Sequence, residues 1–150
     1  MFAFKSLRIL VIFSTLLIGA CAVPTPNDVS QNNIEKNYEG MYLRGVFNWW
    51  EANEAFRFQR IDANTMSVDI ELIADGQPYD FKLADNTWSP AFNCGLPSEK
   101  MPLVLEGKQA LYCFSDSLNL QFIPPETAIY RFEFDTSDSE SPALTIRRAN

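Results

Sequence analysis

Across Thr65–Leu72 apolar and polar residues alternate without a break, Met66, Val68, Ile70 and Leu72 against Ser67, Asp69 and Glu71. Side chains of a strand leave on opposite faces with a period of two, so the pattern predicts a strand with one buried and one wet face. The same pattern recurs twice. Residues 78–85 set Tyr79, Phe81 and Leu83 against Asp80, Lys82 and Ala84, and Ala128–Asp135 sets Ala128, Tyr130, Phe132 and Phe134 against Ile129, Arg131 and Glu133. Shorter strand candidates lie at 41–47, 55–60, 101–105, 109–114, 118–123 and 143–147. Asp75-Gly76, Glu106-Gly107, Pro124-Pro125 and the polar run 136–141 separate them with turn chemistry. No convincing helix is predicted. Two half-apolar sheets can hide their apolar faces only against each other, so the expected fold is all-β, an antiparallel sandwich.

The alternation begins only near residue 40. Residues 22–39 are rich in Pro, Asn, Asp, Ser and Gln and bury too little apolar surface to fold alone, which predicts a tether ahead of one domain at 40–150. Before it, Lys5 and Arg8 precede a mostly apolar stretch at 9–20. That stretch is too short for a bilayer core of about 30 Å, which takes about 20 residues, and so reads as a signal peptide over 1–20. Leu17-Ile18-Gly19-Ala20-Cys21 resembles the lipobox of bacterial lipoproteins. The resemblance implies cleavage before Cys21 and lipidation of that residue. Because Ala22 is not aspartate, it also implies an outer-membrane anchor, with the domain facing periplasm or medium. More than one acyl chain makes such an anchor durable, since a single chain binds a bilayer only marginally.

Charge and composition then narrow the function. Loss of Lys5 and Arg8 would take the 12 Lys and Arg to ten against 19 Asp and Glu, a net charge of −9. An acidic surface repels phosphate, so no nucleic-acid partner is expected. The chain has no histidine, which removes the usual general base at neutral pH and the commonest zinc ligand. A Gly-rich phosphate loop, a GxSxG motif and a metal-spaced cysteine cluster are also missing, so the expectation is a protein without catalytic residues, cofactor or metal. The run Asp135-Thr136-Ser137-Asp138-Ser139-Glu140 spaces oxygens alternately, but without the glycine and spacing of a calcium loop it reads as a solvated acidic turn. With Cys21 lipidated, Cys94 and Cys113 remain as a pair, and an oxidising compartment favours a disulfide over two buried thiols.

Trp49 and Trp50 are adjacent, so in extended chain they face opposite ways and one indole should lie at the surface. Trp88 follows Asp85-Asn86-Thr87 beyond a strand end, at the sheet margin, while Lys82 faces outward on that strand. Indoles flanking an outward cation suit a sugar: pyranose C–H groups lie on the electron-rich ring and hydroxyls bond to Lys or Asn. A tryptophan plugging the core and a lysine solvating a face would leave the same pattern.

Three segments carry a family likeness. Tyr42-Leu43-Arg44-Gly45-Val46-Phe47-Asn48-Trp49-Trp50 resembles the opening strand and Asn-x-Trp turn of early-set, immunoglobulin-like starch- and glycogen-binding modules, those at pullulanase N-termini especially. Phe81-Lys82-Leu83-Ala84-Asp85-Asn86-Thr87-Trp88-Ser89 is similar to their lysine- and tryptophan-bearing strand, and Tyr130 to Asp135 with Pro142 to Ile146 to their last two strands. The resemblance implies an immunoglobulin-like sandwich binding α-1,4-glucans without catalysis. Trp50 and Trp88 would be its stacking platforms, Lys82 its hydrogen-bonding cation and Asn86 a weaker contact. Trp49 has no family role and would widen the platform or pack sideways. The cysteine pair departs from the family pattern. With no catalytic domain expected on the same chain, a separate glucan-degrading enzyme is one partner that the resemblance leaves open. The competing reading is a structural or protein-interaction lipoprotein using the same sandwich without sugar.

Overall fold

A computed structural model describes residues 36–149. The signal segment, Cys21 and most of the tether lie outside them. Within them, Tyr38, expected in the tether, is 2% exposed and packs edge-on against Phe134 at 5.1 Å and Phe92 at 5.8 Å. Burial pushes its hydroxyl up to about 12, with the charges of Glu140 and Asp138 adding to the effect. The folded unit therefore includes residues ahead of 40.

Ten strands follow: β1 (Tyr42–Gly45), β2 (Gln59–Arg60), β3 (Thr65–Leu72), β4 (Tyr79–Ala84), β5 (Asn93–Gly95), β6 (Lys108–Ala110), β7 (Tyr112–Cys113), β8 (Leu120–Phe122), β9 (Ala128–Asp135) and β10 (Ala143–Arg148). One sheet runs β1-β4-β5-β7 with β8 also on β4, the other β2-β3-β9-β10-β6. Every pairing between these strands is antiparallel. The core holds Leu43, Phe81, Leu83 and Phe122 from the first sheet against Val68, Ile70, Phe132 and Leu144 from the second. Phe81 meets Phe132 edge-on at 5.4 Å across that interface. The expected antiparallel sandwich is what forms, and the three alternating segments are its longest central strands, with β3 and β9 paired along their whole length.

Departures have local causes. The strand expected at 41–47 stops at Gly45, where a Cβ would come within 2.7 Å of Asp80 O and Phe81 Cβ, and the chain turns into a 3-10 turn. The one expected at 55–60 opens instead as a 3-10 turn, because the Asn53 side chain accepts from Ala55 N–H at 2.9 Å. Residues 101–105 form no strand: Pro102 brings no N–H, and only an isolated bridge to Gln121 forms. Residues 109–114 divide, β6 joining one sheet and β7 the other, with buried Leu111 at the crossing. The strand β5 carries no alternation and was not predicted; it is fixed by the disulfide between Cys94 and Cys113, which face each other in register. Among the described residues no helix is long and apolar enough to cross a membrane.

Candidate functional site

The outer face of the first sheet, away from the core, carries the site. Leu43, Phe81 and Leu83 point inward, so Arg44 and Lys82, which pair in register, point outward side by side. Beyond the ends of β1 and β4 the chain makes two turns that bring Trp50 and Trp88 together. Their ring centroids lie 6.4 Å apart, tilted by 40°, and both indoles are half-buried. With Lys82, Asn93 and Asn119 they line an open depression of about 400 Å³.

Both turns are held by polar side chains. Asn48 is buried; its Oδ1 accepts from Gly45 N–H at 2.9 Å and its Nδ2 donates to Leu43 O at 2.9 Å. The Asp85 carboxylate accepts from the N–H groups of Ser89 at 2.8 Å and Thr87 at 3.2 Å and from the Thr87 hydroxyl at 3.1 Å. Burial pushes this carboxyl upward, but those hydrogen bonds outweigh it and hold Asp85 below the ordinary carboxylate value. Arg44 joins the two turns. Its Nε donates to Trp50 O at 2.7 Å, its Nη1 to Asp85 O at 2.7 Å, and its guanidinium lies 3.8 Å from the centre of the Trp88 ring. Burial pulls the Arg44 pKa down, and the Asp85 charge opposes it.

The tryptophans share a backbone peculiarity. Four non-glycine residues among those described have positive φ, and three of them are Trp49 (55°), Trp50 (63°) and Trp88 (59°), all the tryptophans of the chain. Left-handed backbone costs an L-residue about 1–2 kcal/mol, so each indole sits where glycine would be easier. Such strain concentrates at sites of function.

Lys82 requires a correction. It leaves the outer face, as alternation demands, but it is covered rather than solvent-facing, at 8% exposure. Gly95, its neighbour on β5, admits no Cβ beneath Leu118 O, so the 115–119 segment lies flat across the sheet and roofs the ammonium. Lys82 Nζ donates to Asn93 Oδ1 at 3.1 Å, to Ser117 Oγ at 3.0 Å and to Ser117 O. Three protons meet three acceptors, and burial lowers the Lys82 pKa while Asp116 partly restores it. Lys82 thus builds the depression, and its ammonium has no proton left over for a ligand. The free donors are amides. Asn93 spends Oδ1 on Lys82, while its Nδ2 and the whole Asn119 side chain make no hydrogen bond among the described residues. No side-chain N or O there is both buried and unpaired, so Asn93, although only 9% exposed, keeps its Nδ2 in reach of the depression that it lines.

The other expected residues stand apart. Trp49 is 85% exposed and does not line the depression, and exposed Asn86 does not reach it. Asn48, Arg44, Asn93 and Asn119 were missed as site residues; of these only Asn48 left a trace in the sequence, as the Asn-x-Trp spacing. The acidic run at 135–140 spends its carboxylates on turns and on Lys108: Asp135 Oδ2 accepts from Lys108 Nζ at 2.7 Å, and Asp138 Oδ1 from Glu140 N–H at 3.0 Å. Among the described residues no three acidic or cysteine side chains gather as a metal site.

No family profile and no curated protein matches the chain. Among solved structures, one described as the ligand-induced structure of AmyP-SBD, a starch-binding domain, superposes with a TM-score of 0.54 at 14% identity, covering 95% of this chain and 97% of the other. At that identity the likeness establishes a shared β-sandwich fold.

Proposed function

We propose that the domain is a non-catalytic module binding α-1,4-glucans, such as maltooligosaccharides, starch or glycogen, anchored to the outer membrane through lipid on Cys21. The observation that carries the sugar reading is the pairing of two half-buried indoles, 6.4 Å apart and tilted by 40°, with the amides of Asn93 and Asn119 that line the same depression. Indoles take the C–H faces of sugar rings and amides take hydroxyls. The tilt favours the α-linkage. Successive rings of an α-1,4 chain turn relative to one another and meet tilted platforms, whereas a flat β-1,4 ribbon would need them coplanar. The solved neighbour with this fold is described as a starch-binding domain, which adds support. Convergence of Trp50 and Trp88 on one open depression, with Lys82 buried beneath it, also favours sugar over the protein-docking alternative.

An open site with two platforms should give about −4 to −7 kcal/mol, millimolar to ten-micromolar dissociation. Electrophoresis of the mature protein in gels containing starch or glycogen should show retardation, weakened about tenfold in apparent affinity by Trp50→Ala or Trp88→Ala. Unretarded wild-type protein would remove the sugar reading, and equal retention by a β-1,4-glucan the linkage. Cys21→Ala should move the protein to the soluble fraction; unchanged membrane association would remove the anchor.

A further inference from the structure

Arg44 and Lys82 stand opposite each other on neighbouring strands, an unfavourable arrangement for two like charges. They diverge. Lys82 is taken up by Asn93 and Ser117, and Arg44 goes the other way, beneath Trp88. There one planar guanidinium does three things at once. It donates to the carbonyl of Trp50, donates to the carbonyl of Asp85 at the root of the Trp88 turn, and lies flat enough to sit 3.8 Å from the Trp88 ring centre. The two tryptophan turns are 38 residues apart in sequence by their indoles, and Arg44 is the side chain that hydrogen-bonds to both.

We propose that Arg44 is the positioning residue of the site: it sets the spacing and tilt of Trp50 and Trp88, and by covering one face of Trp88 it leaves only the opposite face to a ligand. The functional half of this rests on the glucan reading; the geometric half does not. Charge alone cannot serve, because a lysine carries no planar fork that could reach two carbonyls while stacking on a ring. The left-handed backbone at residues 50 and 88 makes such a brace necessary, since either turn, if released, could relax to a conformation that swings its indole away.

The test uses the mature protein with Arg44→Lys and Arg44→Met. Two indoles this close couple excitonically, so their circular-dichroism couplet reports spacing and tilt without any ligand. In folded variants the couplet should fall by more than half, as it also should in a Trp88→Leu control, and affinity for maltoheptaose should drop about tenfold, with Arg44→Lys giving no rescue. An unchanged couplet overturns the proposal, whatever happens to affinity. Loss of the couplet with no glucan binding by the wild type supports the brace and removes the glucan reading instead. Should neither variant fold, the wild type still decides: its Arg44 Nε–H should give a slowly exchanging NMR signal, with guanidinium protons displaced by the ring current of Trp88. A freely exchanging, undisplaced guanidinium would overturn the proposal.

Discussion

Lys82→Met separates two roles for one residue. A lysine that merely reached out to sugar would cost stability little when changed, about 0.5 kcal/mol or less, and would cost affinity much. The structure gives the opposite weighting. Methionine keeps most of the apolar stem, so packing changes little. What disappears is the ammonium with its bonds to Asn93 Oδ1, Ser117 Oγ and Ser117 O. The Asn93 oxygen can rehydrate from the depression it lines. Ser117 is 6% exposed, and its carbonyl oxygen, accepting from no other group among the described residues, stays unpaired at a cost of about 1–3 kcal/mol. Removing a desolvated charge returns part of this. A net loss of about 1 kcal/mol remains, near 4 °C in Tm for a domain of this size. Urea and thermal unfolding measure it, and affinity should fall only as the Ser117 segment loosens around Asn93 and Asn119. A variant as stable as wild type but about tenfold weaker for starch would refute the reasoning and restore Lys82 as a direct contact.

Other consequences can be checked alongside. Cys94 and Cys113 close a loop with a sequence separation of 19, worth about 3 kcal/mol on the chain-entropy account, and Cys94 adjoins Asn93. The double serine variant should therefore melt lower and bind starch more weakly; equal melting of native protein with and without reductant would contradict this. Asp135 is held at about 2, below its ordinary 3.8, first by the Lys108 hydrogen bond and then by Ser137. A depressed carboxylate stabilises the fold above about pH 4 and loses that contribution as pH falls toward about 2. The ion pair is largely solvated, so the contribution is well under about 1 kcal/mol. Lys108→Met should flatten the stability profile across that window only; superimposable profiles would show the pair to be inert.

The fold was legible where burial is one-sided. At β3 and β9 the apolar residues of the alternating set meet the core and most residues between them meet solvent or a partner, as with Asp69 and Arg131, paired across the two strands at 2.8 Å. Alternation then fixes both face and length. It fails where both faces are covered or where the chain changes sheet. Asn93–Gly95 is buried on both sides, under the core on one and the 115–119 segment on the other, so nothing periodic marks it. The break at Leu111 separates β6 from β7 inside a run that reads as one strand, because which sheet each half joins depends on partners far along the chain.

The site was legible as residue types but not as roles. An indole can be found in a sequence; the backbone that aims it cannot, since neither Asn48-Trp49-Trp50-Glu51 nor Thr87-Trp88-Ser89 contains the glycine that normally announces positive φ. That omission is itself informative. A core tryptophan would be recovered by burial, yet Trp50 and Trp88 are only half-buried and Trp49 is 85% exposed. Packing therefore gives a weak reason to hold aromatic residues in a conformation costing about 1–2 kcal/mol each. Around them the chain commits three polar side chains, Asn48, Arg44 and Asp85, to carbonyl and N–H groups of the two turns. Strain braced in this way makes sense when the direction of the ring matters more than its burial. The two braced rings, Trp50 and Trp88, are the ones that meet at the depression, while Trp49, in the same backbone conformation, is 85% exposed and has no partner ring among the described residues. The difference between them is what they face, and the tilted pair facing the amides of the depression is the feature on which ligand recognition by this domain should turn.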